Sequence, residues 1–453
     1  MQTPIADFVR RYAQSKAARF HMPGHKGRPF LGCEAWDITE IAGADALYEA
    51  DGIIAESEAN AAALFGAART LYSTEGSSQC IRAMLYLALT GRPAGTAPVV
   101  VAARNVHKAF VYAAALLGLQ VVWLWPQGES RSLCGCPVTP QALRRTLQAL
   151  PQPPAAVYLT SPDYLGGMAR LKELAQVCHA CGTVLAVDNA HGAYLRFLQP
   201  SCHPLDAGAD LCCDSAHKTL PVLTGGAYLH IGQNAPAAFV HNAKTALALF
   251  GSTSPSYLTL ASLDLCNAYL AAEYPARLAA AVQRVRAAAQ QLAANGWQLL
   301  PADPLRLTLR APAGLKGMAL AARLHAAGVE CEYADPDFLV LMTTPENSEG
   351  DWQRLLQALG RADAPAAPLP TLPLARGEQV VSIRQALFAP RERVLARQAL
   401  GRVCGAPTVA CPPAIPVAVC GERIGPEALR LFDYYGISTV EVLCEPCAPA
   451  ACT

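Results

Sequence analysis

The chain has 453 residues, 52% of them hydrophobic and only 16% charged, which calls for more than one packed core and excludes a disordered or fibrous protein. Its 36 Lys and Arg nearly cancel its 35 Asp and Glu, leaving +1 with no dense basic run, so nucleic acid is not an expected partner. The opening MQTPIADFVRRYAQSKAARF has no apolar core followed by a cleavage site, and no later stretch is apolar for long enough to span a bilayer; a cytoplasmic protein without a membrane partner is expected. From about residue 78 helical patterns alternate with short β-branched runs: SQCIRAMLYLAL, PVVVAA, VHKAFVYAAALL, QVVWLW, a helix over about 139–150, AAVYLT, a helix over about 170–180, and TVLAVD. Such alternation signals βαβ units and a mostly parallel sheet, and the unbroken apolar strands say that helices cover both faces.

An Ala-rich helical stretch, AAEYPARLAAAVQRVRAAAQQLAANG, leads to a second unit that reads strand LRLTLRA, helix MALAARLHAAG, strand VECEY, strand FLVLMTT and helix DWQRLLQALG. The Pro-rich segment ADAPAAPLPTLPLARG has the character of a linker. The expected division is an N-terminal arm (1–40), a major domain (41–285), a small α/β domain (286–362), a linker (363–375) and a C-terminal domain (376–453). The 17 cysteines are scattered and two are adjacent, Cys212 and Cys213, which fits reduced thiols better than a disulfide framework. Cys178 with Cys181, and Cys444 with Cys447 near Cys452, have CxxC spacing, but organised His ligands are lacking and no metal is expected.

In open α/β sheets ligands sit beyond the carboxyl ends of the strands, so polar residues that close strands come first. Asp188 closes TVLAVD, where a carboxylate suits either a protonated pyridine nitrogen or an ordinary cap. Lys218 lies in DSAHKTLPVLTGGAYLH among small residues ahead of a Gly-Gly turn; a desolvated amine there would attack an aldehyde, whereas a solvated loop lysine would do nothing. Gly76, Ser77 and Ser78 precede an apolar-periodic helix, and free amides, the helix dipole and two hydroxyls make a phosphate cradle as well as a plain N-cap. His107 follows strand PVVVAA in RNVHK, placed to stack on a flat ring or to shuttle a proton.

FHMPGHKGRPF, TEGSS, RNVHKAF, SPDYLGGMA, VDNAHGAYLRF, DSAHKTL and SPSYLTLASLD, in this order, resemble the Orn/Lys/Arg decarboxylases, and the likeness extends weakly into SIRQALFAP and CPPAIPVAVCGE. The resemblance implies an α/β, fold type I large domain with a mostly parallel seven-stranded sheet, pyridoxal 5′-phosphate (PLP) as cofactor, and decarboxylation of arginine, lysine or ornithine to an amine that feeds polyamine metabolism. It assigns the Schiff-base lysine to Lys218, the ring-nitrogen partner to Asp188 and the stacking ring to His107. Ser77, Ser78, Ser215 and His217 would hold the phosphate, and Ala190 and His191 would pack beside the ring. It implies a homodimer or higher homo-oligomer with a shared active site to which the SPSY segment contributes, and it matches the shorter type that lacks an N-terminal receiver-like domain. Three departures fall where the family's substrate-side residues are expected: Asn189 in place of an acid, Tyr194 in place of a His, and Cys411-Pro412-Pro413-Ala414 in place of Tyr-Pro-Pro-Gly.

An aminotransferase or lyase on the same scaffold, or a non-catalytic regulatory partner, is compatible with the same letters, because the fold does not decide which Cα bond breaks. A basic substrate needs an acidic partner for its distal cation. Glu330, Glu332 and Asp335 in GVECEYADPD are the candidates, with Glu330 and Glu332 expected on one face of a strand.

Overall fold

Apolar strands that close in polar residues bring those residues together only if the strands run side by side in one direction. The computed structural model, which describes residues 1–90, 92–93, 95–128, 131–409 and 415–444, has this arrangement. Seven strands, β1 (Arg69–Ser73), β2 (Val99–Ala103), β3 (Gln120–Leu124), β4 (Ala156–Thr160), β5 (Val184–Asp188), β6 (Leu211–Asp214) and β7 (Ala227–Ile231), form one sheet of order β1-β7-β6-β5-β4-β2-β3. The pairs from β3 to β6 are parallel, and β7 runs antiparallel to both of its neighbours. Thr160 is in register with Asp188, and Asp188 with Cys213, so β4, β5 and β6 deliver their carboxyl ends to one place.

Strand alternation sends side chains to two cores, which is why these strands are apolar throughout. Ala102, Tyr158, Ala186 and Cys213 pack with Ile81, Met84 and Phe110 on one face, while Val101, Val157, Leu185 and Val187 pack with Leu143, Leu147 and Leu174 on the other. The helices involved are α3 (Ser77–Leu89) and α4 (Lys108–Leu117) on the first face, and α5 (Pro140–Gln148) and α6 (Leu171–Ala180) on the second; α1 (Pro4–Gln14) and α2 (Ile53–Phe65) precede them.

The small unit is a four-stranded antiparallel sheet of β8 (Leu299–Leu300), β9 (Arg306–Arg310), β10 (Tyr333–Ala334) and β11 (Phe338–Met342), in the order β10-β11-β9-β8. The expected strand VECEY contributes only its last residue to β10, so Glu330 and Glu332 do not share a strand face. The expected domain border at 285/286 falls inside one continuous helix, Tyr274–Ala294, whose buried Tyr274, Leu278, Val282, Val285, Ala288 and Leu292 form a single apolar stripe. Pro275 stands in its first turn, where the missing N–H costs nothing, and separates it from the preceding helix Tyr257–Ala272.

The C-terminal unit is tied to the sheet by Arg104, which follows β2. Its guanidinium is fully buried, makes two 2.7 Å bonds to the Glu422 carboxylate and lies between the rings of Trp123 and Trp125. Breaking such a pair strands a charge in the interior. Glu422→Gln or Arg104→Met is therefore expected to lower stability by about 3–5 kcal/mol, read as a fall in the urea midpoint. A double replacement that costs as much as the two singles together would contradict a direct pair.

Among the described residues no helix is long and apolar enough to cross a membrane. The cysteines among them are all free thiols, Cys212 and Cys213 being buried in β6. Cys411 to Ala414, Cys447 and Cys452 lie outside the described residues.

Candidate active site

Asp188 ends β5 with its carboxylate buried. It accepts hydrogen bonds from the Tyr158 hydroxyl (3.1 Å) and the Ala190 amide (3.1 Å), and the Cys213 thiol lies 3.7 Å away. None of the ion pairs among the described residues involves it. A buried carboxylate with hydrogen bonds but no cation against it is costly, and a bound cation would relieve it.

After β6 the chain turns through Ser215 into the one-turn helix α7 (Ala216–Thr219), which carries Lys218. The Ser215 hydroxyl donates to the Ser77 hydroxyl at 2.7 Å, joining this turn to the start of α3. Gly76 caps α3 with φ +73°, a conformation that favours glycine, and the first amides of the helix, at Ser77 and Ser78, have no acceptor within it. The Gly76 amide in turn donates to the Gly225 carbonyl at 2.7 Å. A Cβ on Gly225 would stand 2.7 Å from the Thr74 carbonyl oxygen, which explains the Gly-Gly turn after Lys218.

These elements line a single cleft of about 290 Å³. Ser77, Ser78, His107, Asp188, Ala190, His191, Ser215, His217 and Lys218, the nine cofactor candidates from the sequence, all face it. Asn105, Cys134, Thr160, Asp163, Tyr164 and Glu332 face it as well. The buried Asn105 Oδ1 and Thr160 Oγ1 have no partner, so the wall holds unused polar groups besides the uncompensated Asp188. A hydroxyl-rich helix start for a phosphate, a lone carboxylate for a ring cation and an amine for an aldehyde are the donor set that PLP requires, and the residues fit it.

Burial pushes the Lys218 pKa below its ordinary value, against the opposing pull of Asp188 and Glu332. Lys218 Nζ lies 3.1 Å from His191 Nε2. Burial also lowers the His107 pKa, and its Nδ1 accepts the Ala109 amide at 3.2 Å, so His107 is the side-chain cap of α4 as well as a wall of the cleft. Asp163, whose Oδ1 accepts the amides of Leu165 (3.0 Å) and Gly167 (2.8 Å), is pushed up to about 6 by burial.

Of the three distal-cation candidates only Glu332 lines the cleft, where it accepts the Tyr164 hydroxyl at 2.5 Å. Glu330 is solvent-exposed and paired with His325 at 2.5 Å, because the chain before β10 is irregular and turns it outward. Asp335 is buried outside the cleft, bound to the Tyr333 hydroxyl (2.9 Å) and to the amides of Asp337 and Phe338 (2.8 and 2.7 Å), where it shapes the turn into β11. Asn189 and Tyr194 do not face the cleft either. Asn189 donates to Asp214 (2.7 Å) and Tyr194 to Asp303, so these two departures lie behind the site rather than around a substrate.

His203, Asp214 and His230 are buried within 4.8 Å of one another, the spacing of a metal set. Both Nε2 atoms contact Asp214 Oδ2 (3.0 and 3.2 Å), His203 Nδ1 accepts the Leu205 amide (3.4 Å) and His230 Nδ1 meets the Thr70 hydroxyl (2.9 Å). This closed hydrogen-bond network accounts for their placement and anchors the residue before Ser215. Asn105, Thr160, Asp163 and Tyr164 were missed as site residues by the sequence reading, although the first two follow or close strands and the last two stand in SPDYLGG; Arg306, described below, carries no local signal.

Residues 3–353 match the family model described as Orn/Lys/Arg decarboxylase, major domain. The uncharacterized protein YaaO of Bacillus subtilis (strain 168) is 29% identical over 95% of this chain and 93% of its own, and the arginine decarboxylase of the same organism is 27% identical over 94% and 92%. The lysine decarboxylase LdcF of Francisella novicida superposes with a TM-score of 0.80 at 15% identity, covering 98% of this chain and 81% of its own; the constitutive lysine decarboxylase of E. coli gives 0.77 at 18%, covering 98% and 82%. The sheet order, the cleft beyond its carboxyl ends and the match over residues 3–353 converge on one conclusion: the chain belongs to the Orn/Lys/Arg decarboxylase family.

Proposed function

We propose that this protein is a PLP-dependent decarboxylase of a basic amino acid, with Lys218 as the lysine that carries the cofactor. The observation that carries this reading is one cleft holding both a buried carboxylate without a cation, Asp188, and an amine whose pKa burial lowers, Lys218. When bound, PLP supplies an electron sink for the pair left behind as CO2 departs. Asp188 would hold a proton on the ring nitrogen, and Ser77, Ser78, Ser215 and His217 would bind the phosphate at the start of α3. His107, Ala190 and His191 line the same cleft and would enclose the ring of the bound cofactor. Lys218 or His107 returns a proton to Cα.

The acidic lining suits a basic substrate: Asp163 and Glu332 face the cleft in addition to Asp188. Glu332, oriented by Tyr164, meets the distal cation. A charged hydrogen bond contributes roughly 1.5–3 kcal/mol, so Glu332→Gln is expected to raise KM about 10- to 100-fold with little loss of bound PLP. Glu330→Gln should leave KM unchanged. Equal KM in wild type and Glu332→Gln would move distal recognition elsewhere.

Decarboxylation is favoured over transamination because the family model matched over residues 3–353 and the relatives named for an activity are decarboxylases. Arginine is the first substrate to assay, since curated relatives carry that activity in their names, and the amine product would feed polyamine synthesis. The assay offers arginine, lysine and ornithine to the purified protein and follows amine and CO2; a keto acid in their place would make it an aminotransferase. Exposed Phe20, Phe30 and Leu31 of the N-terminal arm support a homodimer, in which a second copy covers them.

A further inference from the structure

Arg306 opens β9 in the small unit, with its side chain buried behind the cleft. Its two terminal nitrogens donate hydrogen bonds, and its Nε makes an ion-pair contact with Asp303 rather than a hydrogen bond. Nη1 donates to the carbonyls of Asp163 (2.7 Å) and Tyr164 (3.0 Å), Nη2 donates to His191 Nδ1 (3.0 Å), and Nε lies 3.2 Å from Asp303 Oδ2. Asp303 is in turn held by the Tyr194 hydroxyl and the Leu305 amide (3.3 Å). A guanidinium has donors only, so the nitrogen it meets on His191 must present a lone pair. The single proton of the neutral ring is then on Nε2, 3.1 Å from Lys218 Nζ. An N–H pointing at an amine requires the lone pair of that amine, so Lys218 faces His191 unprotonated.

We propose that Arg306, held by Asp303 and Tyr194, is a positioning residue that locks His191 in its Nε2–H tautomer and thereby keeps Lys218 a free, nucleophilic amine. This gives the departure at Tyr194 a role, as the far end of a chain that runs Tyr194, Asp303, Arg306, His191, Lys218. The other charged or titratable groups around the pair are Asp188, Cys213, Glu332, His107, His217 and Tyr164, whose ring lies 5.1 Å from that of His191. Burial, Lys218 and Arg306 all hold His191 well below the ordinary imidazole range, which agrees with a neutral ring. The proposal rests on the reading that Lys218 is the lysine that captures the cofactor.

The test uses the full chain freed of PLP. Long-range ¹H–¹⁵N correlation on histidine-labelled protein reports the His191 tautomer, its signal assigned by its loss in His191→Phe. The rate at which trinitrobenzenesulfonate modifies Lys218, read by peptide mass spectrometry across pH, reports the free-amine fraction. Wild type is expected to show Nε2–H. Arg306→Met should lose that tautomer and slow Lys218 modification on the order of tenfold at pH 8, the effect of a tenfold smaller free-amine fraction. Arg306→Lys, which still donates to Nδ1, should restore both. If Arg306→Met does not fold, His191→Phe removes the donor while leaving Arg306 in place, and the same slowing is expected. Nδ1–H in wild type, or unchanged modification in whichever of these two variants folds, would overturn the proposal. Borohydride trapping of PLP on a lysine other than Lys218 would instead sink the cofactor assignment and leave the tautomer result standing.

Discussion

Lys218→Ala is expected to reduce turnover by about 10⁴- to 10⁶-fold, the scale on which loss of a covalent nucleophile acts in other enzymes. Lys218 sits on a one-turn helix held by the Ser215–Ser77 bond on one side and the Gly-Gly turn on the other, so its amine is presented to the cleft rather than to solvent. Burial lowers its pKa, which enlarges the uncharged fraction at neutral pH, and the uncharged amine is the form that attacks an aldehyde. Capture of PLP by wild type should therefore persist to lower pH than capture by free lysine. The check is borohydride reduction followed by peptide mapping: cofactor mass on the Lys218 peptide in wild type, none in Lys218→Ala. Cofactor trapped at full stoichiometry in the variant would contradict the assignment.

Asp188→Asn is expected to keep the fold and part of the PLP affinity while kcat falls on the order of 10⁴-fold, as when an orienting carboxylate elsewhere is made neutral. The replacement is isosteric, so the contacts to Tyr158 and the Ala190 amide can be largely preserved. What it removes is the negative charge that holds a proton on the ring nitrogen. A second measurement separates this from structural damage. Among the described residues Asp188 makes no ion pair, so replacing its carboxylate by an amide should leave thermal stability of the PLP-free protein equal or higher. A folded variant with normal kcat would refute the electron-sink role.

How much of this was legible in the chain depended on whether the signal was local. The strands, the helices between them and the polar residues that close them could be read from periodicity, because a strand buried on both faces must be apolar throughout and ends where polarity begins. That rule reached Asp188 directly, and the Gly76-Ser77-Ser78 start of α3 followed from the same reasoning about helix ends. Lys218 followed from its small neighbours and the glycine turn beyond it, and the family resemblance supplied Ser215, His217, Ala190 and His191. The tertiary structure alone decided what depends on distant segments meeting. Glu330 and Glu332 are two residues apart, yet one pairs with His325 in solvent and the other meets Tyr164 in the cleft, because the chain there is irregular and obeys no strand alternation. Asn189 and Tyr194 read as substrate-side changes, but side-chain direction turned them toward Asp214 and Asp303. Arg306 had no signal at all: its partners come from three separate stretches of chain, and a hydrogen-bonded guanidinium is defined by what folds around it.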